Sequence, residues 1–304
     1  MAQQTLSKRD KVRVTHGVLG RRDSRLGYML VAPVVICLLL LVVYPFFFAI
    51  WISFTDRVVG QEGRFIGFAN YLYLFGQSSF QASVRNTIVL VVAVQVLKLF
   101  FGLGIALLLN QQIAGRQFWR ALVLLPWAMP AFVAYLTWKL LFAPQGGAFN
   151  LILLGSGLAS THVGFLSTRA LALPSVIVAT FWRGFPFWVI SFLAALQNVP
   201  HELYEAAAID GAGAWQRFRH ITLPSIRHVI LIVTLLSTIW TTNSFENVWL
   251  MTQGGPSDAT MTFPVLAYFG MQSLRIGEAS AVSVAMLPIF AMLALIVVKL
   301  LQED

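Results

Sequence analysis

Charged residues are scarce in this chain: they make up 11% of its 304 residues, whereas 58% are hydrophobic. A soluble domain carries about 25% charged residues. A soluble protein with this composition would expose large apolar patches, which promote aggregation. The apolar residues form runs long enough to cross about 30 Å of hydrocarbon, which takes roughly 20 helical residues. The composition therefore excludes an ordinary soluble domain and predicts an integral membrane protein.

The sequence also lacks the motifs that carry catalysis. The phosphate-binding pattern Gly-x-x-x-x-Gly-Lys-Ser/Thr is missing, and none of the five lysines follows a glycine. The run Gly155-Ser156-Gly157 does not have the spacing of a membrane serine protease, and no second histidine follows His201-Glu202 at the distance of a zinc motif. The single cysteine, Cys37, can form no internal disulfide. We therefore expect no catalysis, no metal site and no cofactor bound by this chain itself.

Long apolar runs are what the sequence has instead. They are continuous rather than alternating, which predicts helices, because only helices and closed barrels satisfy every backbone group in lipid. We predict an all-α membrane protein with six transmembrane helices, at about residues 28–53, 84–109, 119–142, 170–197, 226–250 and 280–301. Prolines within these runs need no functional explanation, since packed membrane helices tolerate them.

Basic residues fall mainly on one side of these predicted spans. Residues 1–27 contain seven Lys or Arg, and a basic tail before a first span is the positive-inside signal. With six spans both termini share one side. Counting residues at the span ends as well, that side holds thirteen Lys and Arg against six on the other. The distribution predicts a multi-pass protein of the bacterial cytoplasmic (inner) membrane with both termini in the cytosol. The first apolar run is too long for a signal-peptide core, so we expect it to be retained.

Away from the span ends, two cations lie inside the predicted spans, where charges are rare and are functional candidates by default. Arg183 falls near the middle of span four, with Trp182 and Trp188 as aromatic neighbours. Aromatic faces and a few hydrogen-bond donors suit a sugar ring, so this cluster is a candidate lining of a solute path, with slight weight towards an anionic solute. A structural arginine bonded to helix carbonyls is the alternative. Lys98 in span two is a weaker candidate, because a lysine can reach towards an interface.

Span five carries a predicted polar stripe. Asn243, Glu246 and Asn247 share a helix face with Trp240 by i, i+3 and i+4 spacing. A stripe of this kind is not expected to face lipid. We favour a lining of the solute path, and hydrogen bonding between helices is the alternative.

The stretch 201–224, HELYEAAAIDGAGAWQRFRHITLP, lies on the predicted cytosolic side between spans four and five. Its composition predicts a helix that begins near Pro200 and is capped by Gly211. A second short helix over 213–221 is expected to end at Pro224, before the next span. Three consecutive alanines make the first helix thin, so that it can approach another protein closely. An amphipathic helix that lies on the membrane surface is the alternative.

This stretch resembles the EAA motif of ABC importer permeases. The order Glu-Ala-Ala, three residues, Gly, nine residues, Ile-x-Leu-Pro is present with both spacings intact, and the Asp-Gly-Ala context is also similar. In that family the segment is a coupling helix, which docks into a groove on the ATP-hydrolysing subunit. The residues to which the resemblance assigns this coupling role are Glu205, Ala206, Ala207, Asp210, Gly211, Ile221, Leu223 and Pro224.

Two further stretches resemble the sugar permeases of the same family. Residues 67–71 are similar to the Gly-x-x-Asn-Tyr/Phe element that follows the first span, and 252–256 resemble the Thr-Gly-Gly-Gly-Pro turn of the maltose-type first permease, with Gln253 in place of a glycine. The resemblance implies the type I ABC importer permease fold, a five-helix core plus one N-terminal helix. It divides the chain into a cytosolic basic tail (1–27), a first transmembrane helix with a periplasmic loop (28–83), and an ABC transmembrane type-1 core (84–301) that contains the coupling segment 198–224.

The implied function is that of a permease subunit that forms half of the path of a sugar or sugar-like solute. The implied partners are a second homologous permease, a periplasmic or lipid-anchored solute-binding protein, and two ATPase subunits that hold ATP and Mg. Membrane lipid is expected around the chain, and nucleic acid is not. A stand-alone channel or secondary carrier for a small polar solute is the alternative, but it would not need the 201–224 motif. A membrane-embedded enzyme is disfavoured because the sequence shows no nucleophile–base constellation.

Overall fold

The computed structural model describes residues 21–302 of the chain, and within them it contains helices and loops but no β-strand. A single isolated β-bridge joins Thr55 to Phe65. In chain order the helices are α1 (Arg21–Leu38), α2 (Tyr44–Ser53), α3 (Ala69–Gly76), α4 (Ser78–Asn110), α5 (Arg116–Ala128), α6 (Ala131–Leu141), α7 (Ala148–Gly155), α8 (Arg169–Gln197), α9 (His201–Ile209), α10 (Ala214–Arg217), α11 (Leu223–Thr242), α12 (Glu246–Met251), α13 (Phe263–Gln272), α14 (Ile276–Val284) and α15 (Leu287–Gln302). Short π-helical turns, Leu39–Val43 and Phe218–Thr222, join α1 to α2 and α10 to α11.

The long helices confirm the membrane fold expected from the apolar runs. Among the described residues, five stretches are long and apolar enough to cross a membrane, and the bent pair α5–α6 adds a sixth if its two helices together form one broken span. The five are Leu26–Ser53, Ser78–Asn110, Arg169–Gln197, Ala214–Thr242 and Ile276–Leu301. The chain divides into one compact unit that ends at Ala49 and a second that begins at Ile50. The candidate site residues all belong to the second unit. The first twenty residues of the predicted basic tail lie outside the described part of the chain.

The third predicted span, 119–142, is not one straight helix. The chain bends by 91° between α5 and α6. Met129 is extended there, with ψ at 136°, because a residue before proline is pushed out of the helical region. Pro130 has no N–H with which to continue the hydrogen-bond ladder. The sequence pattern showed apolar length on both sides of Pro130, but it did not show that this proline divides the run.

The junction before span five also differs from the prediction. The helix that begins at Ala214 continues through the π-helical turn to Thr242, so Pro224 does not separate two helices. Pro224 instead occupies the first turn of α11. We attribute this continuity to the π-helical turn directly before it, which accommodates the missing N–H.

Span five, predicted over 226–250, is broken near its far end. Helix α11 ends at Thr242, and α12 begins four residues later at Glu246. In the break, the Asn243 side chain donates a hydrogen bond to the Ile239 carbonyl at 2.9 Å. Side chains of this kind compete with the backbone ladder and favour helix ends. The residues of the predicted polar stripe therefore do not lie on one continuous helix.

Helices α4 and α8 form the centre of the second unit, where they pack along much of their length. They approach closely at Gly102, where an added Cβ would lie 2.8 Å from the Cβ of Trp188. The Trp188 side chain is fully buried and meets Phe192 edge to face, with 5.5 Å between ring centroids. This close contact holds the two helices that carry the intramembrane cations of the chain.

Candidate functional site

Two regions of the second unit carry the predicted site residues. One is the segment 201–224 between α8 and α11, and the other is a pocket between the long helices. Within the described residues, no three His, Cys, Asp or Glu side chains lie close enough to hold a metal ion.

The segment 201–224 begins with α9, whose C-terminal cap depends on Gly211. Gly211 has a positive φ of 77°, a conformation that glycine adopts without strain. Its N–H donates to the Ala208 carbonyl at 3.1 Å, and the Ala212 N–H donates to the Ala207 carbonyl at 2.8 Å. This pair of bonds is the Schellman motif, which satisfies the last carbonyls of a helix. The cap therefore turns the chain sharply between α9 and α10.

A hydrogen bond ties α9 to the start of span five. The hydroxyl of Tyr204 lies 2.9 Å from that of Thr222, and Thr222 is in the π-helical turn that leads into α11. Tyr204 and Ile221 also pack against a buried cluster that includes Leu196 of α8 and Ile226 of α11. The segment is thus packed against the ends of two membrane helices.

The outward side of the segment is exposed and partly apolar. Glu205, Ala206 and Asp210 are exposed. Ile209 is 87% exposed and Trp215 is 69% exposed. Large exposed apolar side chains beside polar ones are typical of a contact surface.

The second region is a pocket between helices α4, α5, α6, α8 and α11 and the loop that follows α11, with a volume of about 90 Å³. Its lining combines two cations, several hydroxyl groups and four aromatic side chains. The residues that line it are Lys98, Trp127, Tyr135, Thr180, Arg183, Gly184, Phe187, Ser237, Trp240, Thr241 and Ser244.

Lys98 reaches into this pocket from α4 and is only 5% exposed. Its Nζ donates to the hydroxyl of Ser237 at 3.1 Å and to that of Thr241 at 3.2 Å. The side chain crosses α8 at Gly184, where an added Cβ would lie 2.7 Å from the lysine Nζ. The structure therefore directs this lysine into the helix bundle and not towards an interface.

Arg183 enters the same pocket from α8 and is half-buried. The central carbon of its guanidinium lies 6.0 Å from the ring centroid of Tyr135, within reach of a cation–π contact. Its Nε is buried and has no hydrogen-bond partner within residues 21–302. Part of the hydrogen-bonding capacity of this side chain is therefore unused.

The three predicted tryptophans lie in different places. Trp240 of α11 lines the pocket, with its ring centroid 5.0 Å from that of Phe187. Trp182 packs edge to face on Trp138, at 5.7 Å between centroids, and it does not line the pocket. Trp188 lies in the core between α4 and α8. The structure thus brings one of the three to Arg183 at the pocket.

The polar residues near the end of span five also separate. Asn243 and Glu246 are exposed, and neither lines the pocket. Asn247 is fully buried, and its Nδ2 donates to the Thr180 hydroxyl at 3.2 Å, which joins α12 to α8. For Asn247, this geometry is the helix–helix hydrogen bond that was left open as the alternative.

The two asparagines give a matched pair of substitutions. Asn247→Ala is expected to lower the free energy of unfolding by about 1–3 kcal/mol, because a buried partner loses its hydrogen bond. Asn243→Ala is the control, since that side chain is exposed and, within residues 21–302, bonds only to a carbonyl of its own helix. Thermal unfolding of the purified protein in detergent measures both. Equal melting temperatures for the two variants would contradict the structural role of Asn247.

Most of the pocket-lining residues could not be predicted from the sequence. The hydroxyls of Thr180, Ser237, Thr241 and Ser244 come from three parts of the chain, and single Ser and Thr residues in apolar helices give no periodic signal. Lys98 did carry a signal, because a lysine in the middle of a membrane helix is itself a site candidate.

Known proteins resemble this chain over most of its length. The trehalose/maltose transport system permease protein MalF of Thermococcus litoralis is 35% identical over 264 residues, 86% of this chain and 89% of that protein. The sulfoquinovosyl glycerol transport system permease protein SmoG of Agrobacterium fabrum is 33% identical over 267 residues, 87% of this chain and 86% of that protein.

Solved structures share the fold at lower identity. A bacterial ABC transporter that imports the acidic polysaccharide alginate matches with a TM-score of 0.80 and 24% identity, over 92% of this chain and 95% of that chain. The alginate transporter in complex with an alginate pentasaccharide-bound periplasmic protein matches with a TM-score of 0.81 and 22% identity, over 93% and 96%. The predicted ABC importer permease fold is confirmed.

A family model described as the inner membrane component of binding-protein-dependent transport systems matches residues 98–303. That range contains both the segment 201–224 and the pocket-lining residues, and it covers about two thirds of the chain. With relatives above 30% identity over most of its length, this chain belongs to the family of binding-protein-dependent transport system inner membrane components.

Proposed function

We propose that this chain is the membrane-spanning permease subunit of a bacterial ABC importer, and that it forms half of the translocation path of a sugar or sugar-like solute. ATP hydrolysis in partner subunits drives the transport. The observation that carries this proposal is the segment 201–224: a short capped helix, exposed on its outer side and tied to the membrane helices on its inner side. A conformational change in a protein docked on the outer side of this segment would move the membrane helices attached to its inner side.

One helix connects the segment to the pocket. The continuous stretch Ala214–Thr242 has 29 residues, which corresponds to roughly 40 Å at 1.5 Å per residue. Its first turns belong to the coupling segment, and its last turns carry Ser237, Trp240 and Thr241 in the pocket lining. A rigid-body movement of the segment would therefore displace one wall of the pocket directly.

The pocket chemistry supports a sugar-like solute. Hydroxyl groups and aromatic rings at one site suit the polar edges and apolar faces of a sugar ring. The names of the similar proteins also favour a sugar-like solute, since they belong to transport systems for trehalose or maltose, for sulfoquinovosyl glycerol and for alginate. Of the residues that the sequence predicts to line the solute path, we assign Arg183 and Trp240 to it.

The size of the pocket supports a partner permease. Pockets for drug-sized ligands are about 300–1,000 Å³, whereas this pocket is about 90 Å³. We propose that a second, homologous permease supplies the opposite wall. A periplasmic or lipid-anchored binding protein delivers the solute, and two ATPase subunits hold ATP and Mg. Both termini and the segment 201–224 face the cytosol, as the distribution of basic residues predicts.

Affinity purification tests this assembly. Tagged chain, expressed together with the genes that neighbour its own, is expected to co-purify with an ATPase subunit and a second permease. A variant with residues 201–213 replaced by a Gly-Ser linker of equal length is the control, and it should retain the permease but lose the ATPase. A folded, transport-active homo-oligomer without these partners would contradict the proposal.

A further inference from the structure

We propose that Lys98 and Arg183 together form a binding site for an anionic group of the transported solute, a carboxylate, sulfonate or phosphate. The inference rests on the proposed import function and narrows its substrate class to acidic sugars or sugar derivatives. The solute places its acidic group in the pocket and its ring against the aromatic side chains at the pocket mouth.

The two cations face one pocket whose lining contains no carboxylate. Lys98 is buried, and its ammonium bonds only to the neutral hydroxyls of Ser237 and Thr241. Arg183 contacts the ring of Tyr135 and leaves its Nε unpartnered. Within the described residues neither cation forms an ion pair with a carboxylate.

The acidic residue nearest in sequence to the pocket wall is Glu246. It is exposed and does not line the pocket, and in the described part of the chain it makes no salt bridge to either cation. Charges inside a membrane protein are costly unless they are paired. A bound anion would satisfy both cations at once.

The geometry of the pair suits an oxyanion. The planar guanidinium presents a fork of donors that matches carboxylate, sulfonate or phosphate oxygens, and the ammonium adds a compact point charge. Lys98 comes from α4 and crosses α8 at Gly184, next to Arg183 in the chain, and both side chains line the same pocket. The hydroxyl of Ser244 also lines this pocket and can donate to a further oxygen.

The size of the pocket also fits an acidic group better than a whole sugar. A volume of about 90 Å³ is well below the roughly 300 Å³ at which pockets for drug-sized ligands begin. The ring of the solute then lies at the mouth, beside Phe187 and Trp240, whose rings are 5.0 Å apart.

The first test compares acidic and neutral solutes in the complete importer. Proteoliposomes with ATP and the binding protein receive matched pairs: glucose with glucuronate, glucose with glucose 6-phosphate, and maltose with maltobionate. Mass spectrometry then measures the accumulated compounds. We expect about ten-fold or greater preference for the acidic member of at least one pair. Equal or greater accumulation of the neutral members overturns the inference alone. No ATP-dependent accumulation of any probe contradicts both the import function and this inference.

The second test removes the charges one at a time. Lys98→Met and Arg183→Gln are each expected to reduce uptake of the preferred acidic solute about ten-fold, while Arg183→Lys retains part of it. Lys139→Met is the matched control, since Lys139 is an exposed cation at the end of α6 and its loss should leave uptake unchanged. Gel filtration checks that every variant still assembles.

Gly184→Ala tests whether the position of the Lys98 ammonium matters, because the variant keeps both positive charges. It keeps both cations but forces the tip of Lys98 to move, so KM for the acidic solute should rise while that for a neutral sugar does not. Two results in Lys98→Met would overturn the proposal: equal loss of acidic and neutral uptake, or loss of the second permease from the complex. Either result would mean that Lys98 and Arg183 form ion pairs with a carboxylate of the partner subunit and not with the solute.

Discussion

Replacement of Gly211 by valine is expected to uncouple ATP hydrolysis from transport while the membrane helices remain inserted. Gly211 has a φ of 77°, and a β-branched residue held in that conformation costs about 1–3 kcal/mol. The strain would open the cap at the end of α9 and displace the docking surface. At about 1.4 kcal/mol per ten-fold change in an equilibrium constant, ATPase docking and solute-stimulated hydrolysis should each fall about ten-fold or more.

Gly213→Val is the matched control for this substitution. Gly213 belongs to the same segment, but its φ is −67°, and an added Cβ would meet only the Gln216 side chain at 3.7 Å. It should therefore couple far better than Gly211→Val. Hydrolysis is measured in reconstituted vesicles, with ATPase retention checked by pull-down. Equal coupling in both variants would mean that the cap has no part in docking.

Glu205→Lys tests the same surface through charge. Glu205 is exposed on α9, and among the described residues it has no hydrogen-bond partner, so it is free to meet a donor of the ATPase. Reversal of its charge should weaken docking without any change in the insertion of the helices. Normal hydrolysis and normal uptake in this variant would exclude Glu205 from the interface.

Gly102→Val is expected to have the largest effect on the fold. The new Cβ would lie 2.8 Å from the Cβ of Trp188, so α4 and α8 would have to move apart. Overpacking costs typically about 1–3 kcal/mol and occasionally more, and the upper end is expected because Trp188 is fully buried. Thermal unfolding in detergent and the yield of assembled complex both measure this loss.

Gly104→Val controls for helix propensity. Gly104 is two residues further along α4, it is exposed, and an added Cβ there would meet nothing within 4 Å. The substitution is chemically identical, so any difference between the two variants reports the contact with α8. Equal melting temperatures would contradict the close packing at Gly102.

Much of the membrane fold could be predicted from the sequence because the apolar runs have a strong and local signal. Span four was predicted at 170–197 and is found at Arg169–Gln197, and the cap at Gly211 follows from the need for a positive φ. These features depend on length and on the conformational preference of one residue. Both are properties that a single stretch of sequence carries by itself.

The breaks within spans were harder to predict. Pro130 lies between two apolar runs that together have the length of one span, and a packed membrane helix often tolerates a proline. Here the 91° bend shows that the chain uses it to divide the span. Span five likewise ends early at Thr242, in a run of residues whose side chains bond to the backbone of their own helix.

The composition of the pocket could not be predicted because it depends on which helix faces meet. Arg183 and Trp240 were singled out from their own helices, and the structure brings them together. Lys98 joins them only because Gly184 leaves room for its side chain to cross α8. Trp188 has the same aromatic character as Trp240, yet it packs in the core, since the partner of each face is decided by tertiary contacts and not by residue type.

Solute accumulation in sealed vesicles tests the central claim most directly. The complete complex is reconstituted, and uptake of the preferred solute is followed with ATP supplied on the side that exposes the segment 201–224, and without it. The proposed function predicts accumulation against a gradient only with ATP and only when the ATPase subunits are present. Uptake by this chain alone, at the same rate with and without ATP, would contradict it and would instead identify a channel or secondary carrier.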